Sequence, residues 1–478
     1  MKKPANKVKP SFIAEPVERR ALAKRNSADP PDAGTQRPAG SEEGLTRIRA
    51  AARKDRKLRF NNLYHHITIE LLWRAYEKLK RKAVPGVDGI DWYRYGENLL
   101  PNLTKLHENI HTGCYRAQPV KREWIKKPDG GRRPLGITCI EDKVVQQAVV
   151  WILESIYEQD FLGFSYGSRP KRSQHNALDA LYMALTVKKV SFVFETDIQG
   201  CYDHIDQKWL QRFLEHRIAD RRILKLIDQT LKAGTLEAGR WQSSEKGIHQ
   251  GSVISPILSN IYLYYSLDQW AHQWRERHSR GEVYLIRYVD DVVACFQYQS
   301  DGQAFQRALE QRLKHFGLNL HPGKTRLIEF GRFAQANRKH RGQGKPESFD
   351  FLGFTHVCAR RRSDGKFTVR RITIAKRQRA KLKEIRQWLK RNLCIPVSDQ
   401  GKYIARIIRG TMNYYGVPGN LQALNAFRTE ICKSWFRALR RRSQKATKLT
   451  WDKFKRIVRD WVPSVRVIHP YPSERLCV

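Results

Sequence analysis

Closely spaced cysteines are missing from this sequence. Its eight cysteines are scattered along 478 residues, and none stands in Cys-x-x-Cys spacing. Such a pattern is typical of reduced, mostly buried thiols in a cytosolic protein, and it argues against a zinc site. A Walker loop, a His-Glu-x-x-His motif and a Gly-x-Ser-x-Gly motif are absent as well. The chemistries that depend on these motifs therefore have no support in the sequence.

Long apolar runs are also absent. No stretch approaches the roughly 18 apolar residues of a membrane-spanning helix. The N-terminal residues lack the apolar core of a secretory signal. We therefore expect no membrane partner.

Acidic residues are scarce relative to basic ones. The chain carries 47 Asp and Glu against 90 Lys and Arg, which gives a formal net charge of +43. Such an excess predicts a polyanionic partner, most simply a nucleic acid. A hydrophobic content of 41% excludes a fully disordered chain, and the length predicts about three domain-sized units.

The first 57 residues are rich in Lys, Arg, Pro, Ala, Ser and Gly and contain almost no aromatic residues. This composition predicts a disordered basic tail over residues 1–57 that condenses on nucleic acid. A mitochondrial presequence is disfavoured, because Glu15, Glu18 and several prolines interrupt any basic amphipathic helix.

A hairpin with adjacent carboxylates is predicted at residues 285–296. Two runs of β-branched and aromatic residues flank Tyr288-Val289-Asp290-Asp291. Two like charges between buried strands are unfavourable unless a cation binds there, and a pair of magnesium ions is the usual remedy. A polar turn on a surface hairpin is the alternative, since Asp is a common turn former.

A second apolar strand, residues 191–197, ends at Asp197. A carboxylate in that position can meet the hairpin tip across a sheet, and three carboxylates from two strands suit a pair of hard divalent cations. Asp197 could instead cap the following helix, although Asp206 is the better candidate for that role.

Other segments predict the scaffold around these carboxylates. Residues 124–137 indicate two strands joined by a Pro128-Asp129-Gly130-Gly131 turn, whose basic residues either hold a triphosphate or are merely solvated. Ser255 is predicted as an N-cap, with Pro256 opening its helix, and Asn420 as another N-cap. Apolar periodicity predicts helices over 69–80, 143–158, 176–185, 376–393, 402–415 and 421–442.

Ten short motifs, each weak alone, occur in one order along residues 59–475. They are Gly86-Val87-Asp88-Gly89, Arg133-Pro134-Leu135-Gly136-Ile137, Tyr166-Gly167-Ser168-Arg169-Pro170, Asp197-Ile198-Gln199-Gly200, Gln250-Gly251, Ser255-Pro256, Asn260-Ile261-Tyr262-Leu263, Tyr288-Val289-Asp290-Asp291, Gly323-Lys324-Thr325 and Phe351-Leu352-Gly353-Phe354. In this order the sequence resembles the group II intron-encoded reverse transcriptases, or maturases, of the bacterial type. It departs from the family's usual pattern at His249, Ser252, Val289 and the pair Cys201-Tyr202.

The resemblance implies an α+β right-hand polymerase fold. Fingers and a palm with an antiparallel sheet would span residues 58–356, and an α-helical thumb or maturase domain would span 357–442. A basic, aromatic DNA-binding tail would follow over 443–478. The C-terminal endonuclease of many relatives, with its paired Cys and His zinc ligands, is expected to be absent.

The resemblance also implies the functional residues. Asp197, Asp290 and Asp291 would be catalytic, and two Mg²⁺ ions would be held at Asp197, Ile198, Asp290 and Asp291. The substrate-binding residues would be Lys127 and Arg133 at the triphosphate, Tyr202 beneath the sugar as a gate against a 2′-hydroxyl, Gln250 in the nucleotide pocket, Arg169, and Lys324. Lys324 is a candidate general acid, or simply one basic residue among ninety. Residues 351–354 would form the primer grip.

The implied activity is RNA-directed DNA synthesis by a bacterial, cytoplasmic, nucleoid-associated protein that also assists splicing and retrohoming. Its partners would be group II intron RNA, an RNA template with a DNA primer, dNTPs and target DNA. Two alternatives stay open: a non-catalytic RNA-binding splicing factor and a domesticated reverse transcriptase in phage defence.

Overall fold

The computed structural model describes residues 40–126, 131–243 and 245–475. The helices are α1 Gly40–Lys54, α2 Ile69–Lys78, α3 Trp92–Gly96, α4 Leu99–His111, α5 Ile140–Tyr157, α6 Gln174–Val187, α7 Cys201–His204, α8 Gln207–Glu215, α9 Arg221–Lys232, α10 Ser255–Leu263, α11 Gln269–Arg277, α12 Gln299–His315, α13 Ala334–His340, α14 Ala375–Arg391, α15 Val397–Tyr415, α16 Leu421–Arg440, α17 Trp451–Trp461 and α18 Pro472–Arg475. The strands are β1 Val120–Lys126, β2 Arg132–Ile137, β3 Phe192–Asp197, β4 Thr235–Glu237, β5 Arg240–Gln242, β6 Val283–Tyr288, β7 Asp291–Phe296, β8 Arg326–Glu329, β9 Phe349–Phe351, β10 Phe354–Arg360 and β11 Phe367–Thr373.

Helix α1 corrects the prediction of a disordered tail up to residue 57. Leu45, Ile48 and Ala52 lie on one face of α1 and are buried in the main core, where α1 packs on α5. These three residues have helical spacing, but most residues around them are basic or small. A sequence window over the segment therefore shows little apolar periodicity. The remainder of the predicted tail, residues 1–39, lies outside the described residues.

The central sheet has the strand order β6-β7-β3-β8 and is antiparallel throughout. Alternate residues of β7 point to opposite sides: Val292 and Ala294 join the main core with α12, whereas Val293 and Cys295 join a second core with α6. Because both faces of this sheet are covered, its strands have continuous apolar sequences and do not alternate between apolar and polar residues.

A second four-stranded sheet combines β1 and β2 with the short strands β4 and β5, which follow β3 in the chain. Its strand order is β2-β1-β4-β5, with β1 antiparallel to β2 and parallel to β4. The predicted pair of strands within 124–137 is therefore present, while the residues of the turn between them, 127–130, lie outside the described residues. The hydrogen bond from Gly136 N to Gln250 O, 2.6 Å, ties β2 to the loop that precedes α10.

A third sheet, β11-β10-β9, occupies the segment where helices were expected to begin. The placement of a helical domain from residue 357 is wrong up to Thr373, because β10 and β11 form a regular antiparallel hairpin there. The adjacent Arg370 and Arg371 interrupt the apolar pattern of β11, so its sequence shows no regular alternation.

Four helices, α14 to α17, form a C-terminal bundle with its own core. Ile385, Ile404, Ile431 and Trp435 are buried in it, and the indole Nε1 of Trp435 donates to Gln400 Oε1 at 2.7 Å. The helices predicted over 376–393, 402–415 and 421–442 are confirmed within a few residues. With the antiparallel central sheet, this bundle confirms the predicted α+β fold followed by an α-helical domain.

After α17 the chain returns from the bundle to the central sheet. Ile468 N and His469 N donate to Gly416 O at 2.9 and 3.0 Å, the His469 ring stacks on His175 of α6 at 3.8 Å, and Arg475 pairs with Asp179 of α6 at 3.1 Å. We call residues 463–475 the C-terminal strap. The predicted DNA-binding tail is thus folded: Phe454 of α17 is fully buried against Trp435 and cannot stack on a base.

Local capping was predicted with mixed success. Asp206 caps α8 as expected, accepting from Lys208 N and Trp209 N. Ser255 is instead the first residue of α10 and donates to His249 O at 2.7 Å. Asn420 holds the N-cap position of α16 as predicted, but its side chain bonds to Thr373 and Tyr415 and makes no capping hydrogen bond. Within the described parts of the chain, every helix is too short or too polar to cross a bilayer.

The burial of α1 predicts a measurable contribution to stability. Ile48 is buried in the main core, so Ile48→Ala should lower the free energy of unfolding by about 2–5 kcal/mol. Urea denaturation followed by circular dichroism measures the change. Arg47→Ala, on the exposed side of the same helix, should leave the unfolding midpoint unchanged; equal midpoints for both variants would mean that α1 is not docked.

Candidate active site

The three carboxylates predicted from sequence lie together at one edge of the central sheet. Strands β3 and β7 pair antiparallel with Asp197 directly opposite Asp291. Asp290 sits in the tight turn between β6 and β7, and its carbonyl accepts from Ile198 N at 3.2 Å. The hairpin and the strand end predicted for these residues are confirmed, and the pairing of β3 with β7 is what unites them.

Crowding and burial set the electrostatics of this edge. Burial, and then the charge of Asp197, raises the pKa of Asp290. Burial and the neighbouring carboxylates Asp290 and Asp197 raise the pKa of Asp291 to about 7. Each shift has the direction expected for like charges forced together away from water.

Lys324 supplies a counter-charge to the carboxylates. Its Nζ donates to Asp197 Oδ2 at 2.7 Å. Burial alone would lower the pKa of Lys324, but the hydrogen bond and charge of Asp197 outweigh it and raise the pKa. The ammonium group is therefore held protonated beside the carboxylates.

The donor set fits hard divalent cations. Carboxylate oxygens are the ligands that Mg²⁺ prefers, and a bound cation would relieve the repulsion between the carboxylates. Among the residues that the structure describes, no three His, Cys, Asp or Glu side chains form a ready-made metal cluster, and Asp197 is paired with Lys324. The Ile198 side chain is aliphatic and has no donor atom, so only its backbone could contribute to metal binding.

Of the residues expected at the nucleotide, Arg133 and Tyr202 lie near Asp290, whereas Gln250 lies beside β2, where its carbonyl accepts from Gly136 N. The charge of Arg133 acts on both Asp290 and Tyr202. Tyr202 is half-buried, and burial followed by the charges of Cys201 and Asp290 raises its pKa to about 12. Gln250 lines a cavity of about 310 Å³ together with Arg122, Gly136, Asp203, Lys246 and His249, among others.

Arg169 does not belong to this site, and its assignment as a substrate-binding residue is corrected. Its side chain is 3% exposed and forms an ion pair with Glu158 at 3.0 Å. The same guanidinium donates to the Leu162 and Ser165 carbonyls, each at 2.8 Å. All of these contacts are internal, so Arg169 shapes the loop before α6. Lys127, the other expected triphosphate ligand, lies outside the described residues.

The segment expected to grip a primer forms the turn between β9 and β10. Leu352 and Gly353 both adopt positive φ, 45° and 82°. The hydroxyl of Tyr414, at the end of α15, donates to Leu352 O at 2.9 Å. This contact joins the turn to the C-terminal bundle.

Sequence reasoning missed the residues that hold the Asp290 turn. Arg287 lies within the apolar run of β6 and is fully buried, paired with Asp268, which lies between α10 and α11. A cation inside an otherwise apolar strand was the available signal, because a buried arginine requires a partner. The sequence does not identify this partner, because Asp268 lies in a helical segment 19 residues before Arg287.

A family model described as reverse transcriptase (RNA-dependent DNA polymerase) matches residues 125–356. Protein YkfC of Escherichia coli strain K12 is 36% identical over 282 residues, covering 52% of this chain and 73% of YkfC. Among solved structures, telomerase from Candida albicans in complex with a fragment of telomeric RNA aligns over 77% of this chain and 65% of its own, with 13% identity and a TM-score of 0.41.

Two further relatives are intron-encoded proteins. The group II intron-encoded protein LtrA of Lactococcus lactis subsp. cremoris is 35% identical over 227 residues, which cover 46% of this chain and 37% of LtrA. A putative COX1/OXI3 intron 2 protein of Saccharomyces cerevisiae is 32% identical over 196 residues, 41% of this chain and 23% of that protein. The matched region thus spans well under half of either relative. With the carboxylates in place, the family model and the 36% identity to YkfC assign the chain to the reverse transcriptase family, the RNA-dependent DNA polymerases, in which its relatives include group II intron-encoded proteins.

Proposed function

We propose that this protein extends a DNA primer on an RNA template, with Asp197, Asp290 and Asp291 as its catalytic carboxylates. The observation that supports this most directly is the register of β3 and β7, which sets Asp197 opposite Asp291. Side chains brought together from distant parts of the sequence, with raised carboxylate pKa values, are typical of a site built to hold cations.

Two Mg²⁺ ions would be held by Asp197, Asp290 and Asp291, with a backbone contribution at Ile198. When bound, such ions neutralise charge on the attacking and leaving oxygens of an in-line phosphoryl displacement. Lys324 bonds Oδ2 of Asp197, so the ammonium and a bound cation would share this carboxylate.

The remaining residues position the substrate. Arg133 would hold the triphosphate, Gln250 would line the nucleotide pocket, and Tyr202 would lie against the sugar. The primer 3′-hydroxyl would attack the α-phosphorus of a dNTP as the bond to pyrophosphate breaks. Lys324, held protonated near the carboxylates, would donate its proton to the leaving pyrophosphate.

The second proposed role is binding of group II intron RNA, which would assist splicing and support retrohoming into target DNA. Helix α14 carries many Lys and Arg residues and buries only Ile385 and Leu389, so most of its surface is cationic. A basic surface that binds folded RNA stabilises that fold without any catalytic residue. We therefore assign the α14–α17 bundle to RNA and primer–template contact.

The rival function is RNA binding alone, with the polymerase site unused. Primer extension separates the two. Asp290→Ala should reduce DNA synthesis on an RNA template by on the order of 10³-fold or more, because it removes a carboxylate from the cluster. Binding of intron RNA in a filter assay should be unchanged.

The matched control is Asp364→Ala, an exposed carboxylate outside the central sheet, which should extend primers like the wild type. A wild-type protein that binds intron RNA and promotes its splicing but never extends a primer would leave the RNA-binding function only.

Cation binding should depend on pH in a defined direction. Because the pKa of Asp291 is raised to about 7, the metal-free folded protein retains a proton that an unfolded chain loses near its ordinary carboxylate pKa. The stability from this group is present at low pH and is lost as the pH rises towards about 7.

Mg²⁺ binding requires the deprotonated carboxylate, so its apparent affinity should be about tenfold weaker at about pH 6 than at about pH 8. The measurement is the melting temperature with and without Mg²⁺ at both pH values. Asp291→Asn should abolish the pH dependence of the Mg²⁺ effect. An equal Mg²⁺-induced shift at both pH values in the wild type would contradict this assignment.

Tyr202 should determine sugar selectivity. Tyr202→Ala opens space beside Asp290, and we expect discrimination against ribonucleotides to fall by about tenfold or more. Single-nucleotide incorporation of dNTP and rNTP measures the ratio of kcat/KM. Tyr202→Phe, which keeps the ring, should retain the discrimination; loss of selectivity in both variants would point to the hydroxyl instead.

A further inference from the structure

The turn that carries Asp290 has an unfavourable backbone conformation. Val289 has φ 59°, a left-handed conformation that is a genuine outlier for a β-branched residue. Such residues persist only where the surrounding structure holds them in place, and they cluster at functional sites. Contacts that hold this turn therefore bear directly on where the two carboxylates point.

The buried side chain of Arg287 bonds to this turn and to the residues around it. Its Nη1 donates to Val289 O at 3.0 Å and to Asn260 Oδ1 at 3.1 Å. Its Nη2 donates to Ser165 Oγ at 2.7 Å. The same guanidinium bonds Asp268 through Nε at 2.7 Å and Nη2 at 2.6 Å. The planar guanidinium group thus donates to the turn, to the side chains of Asn260 and Ser165, and to a single carboxylate.

The other side of the turn is held by the loop before α6. Asn260 Nδ2 donates to Gly167 O at 2.9 Å, and Tyr166 N donates to Arg287 O at 2.9 Å. A Cβ at Gly167 would lie 2.5 Å from the backbone nitrogen of Val289, so the loop touches the turn directly. Asn260 joins the two sides, because it bonds to both Gly167 and Arg287.

Burial makes this network stiff. Arg287 is 1% exposed and Asp268 0%, and Asn260 is fully buried. Buried charge-assisted hydrogen bonds are short and directional, and a lysine cannot reproduce the fork of an arginine. Asp268 itself lies in a π-helical turn, Tyr264–Asp268, a local irregularity that is frequent at functional sites.

We propose that Arg287, fixed by Asp268 and Asn260, is a positioning residue that sets the orientation of the Asp290–Asp291 turn for cation binding and catalysis. The inference rests on the proposed polymerase function. Arg371 provides the contrast, as it is also buried and paired with a buried carboxylate, Asp179, at 2.9 Å, but it bonds to no part of the turn. A purely structural role would make the two arginines equivalent.

The test compares Arg287→Lys and Asn260→Ala with Arg371→Lys as the matched control. Both site variants should lower kcat for primer extension by about 10–100-fold, as expected for a misplaced catalytic group. Their Mg²⁺ requirement for half-maximal activity should rise several-fold, while the dNTP KM and the Kd for primer–template stay within about twofold. Arg371→Lys should lose a similar amount of thermal stability, yet keep the wild-type kcat per folded molecule.

A readout independent of activity is the Mn²⁺-induced rise in melting temperature. It should shrink in Arg287→Lys and Asn260→Ala and stay at the wild-type value in Arg371→Lys. If the site variants lose activity only in proportion to unfolded protein, with unchanged metal response, the network is structural and the inference is overturned.

Should Arg287→Lys not fold, Asn260→Ala decides, because it leaves the pair of Arg287 with Asp268 intact. If the wild type synthesises no DNA, the proposed function fails, while the Mn²⁺ response still tests the positioning role.

Discussion

Repulsion among three carboxylates is the constraint around which the rest of the structure is arranged. Backbone pairing between β3 and β7 forces Asp197 and Asp291 together, and the turn adds Asp290. Without bound cations, the positive charges of Lys324 and Arg133 reduce this repulsion, and so does a proton held on Asp291 near neutral pH. This acidic cluster stands in a protein whose overall net charge is +43.

The surrounding elements contribute rigidity more than charge. Helices cover both faces of the central sheet, so its strands cannot slip in register without exposing apolar side chains. The loop before α6, Asn260 of α10 and the π-helical turn all contact one hairpin. The short turn around Asp290 thus depends on contacts between residues up to 122 positions apart in the sequence, as between Arg287 and Ser165.

Much of this arrangement could be predicted from sequence, because it follows from periodicity. The strand ending at Asp197, the hairpin around Asp290 and the helices of the C-terminal bundle carry clear apolar patterns. What failed depended on tertiary contacts or on composition. The basic segment containing Ile48 was read as disordered because its few apolar residues are visible as a core face only once α5 is known.

Arginine roles were the least predictable. Arg169 was assigned to substrate from its place in a motif, whereas burial and the pair with Glu158 make it internal. Arg287 was overlooked although it stands beside the Asp290–Asp291 turn. Arginine serves equally as a phosphate ligand and as a buried hydrogen-bond donor, so the sequence alone does not separate the two uses. The hairpin β10–β11 was missed for a related reason, since the adjacent Arg370 and the buried Arg371 interrupt the alternation of β11.

The C-terminal strap has a mechanical consequence. The bundle contacts the central region near the turn between β9 and β10, where Ile374 N donates to Gly353 O and the Tyr414 hydroxyl donates to Leu352 O. The strap adds a further contact, the ion pair of Arg475 with Asp179. Each added contact narrows the rotation of α14–α17 relative to the central sheet, so loss of the Arg475–Asp179 pair would widen the range of orientations that the bundle can take.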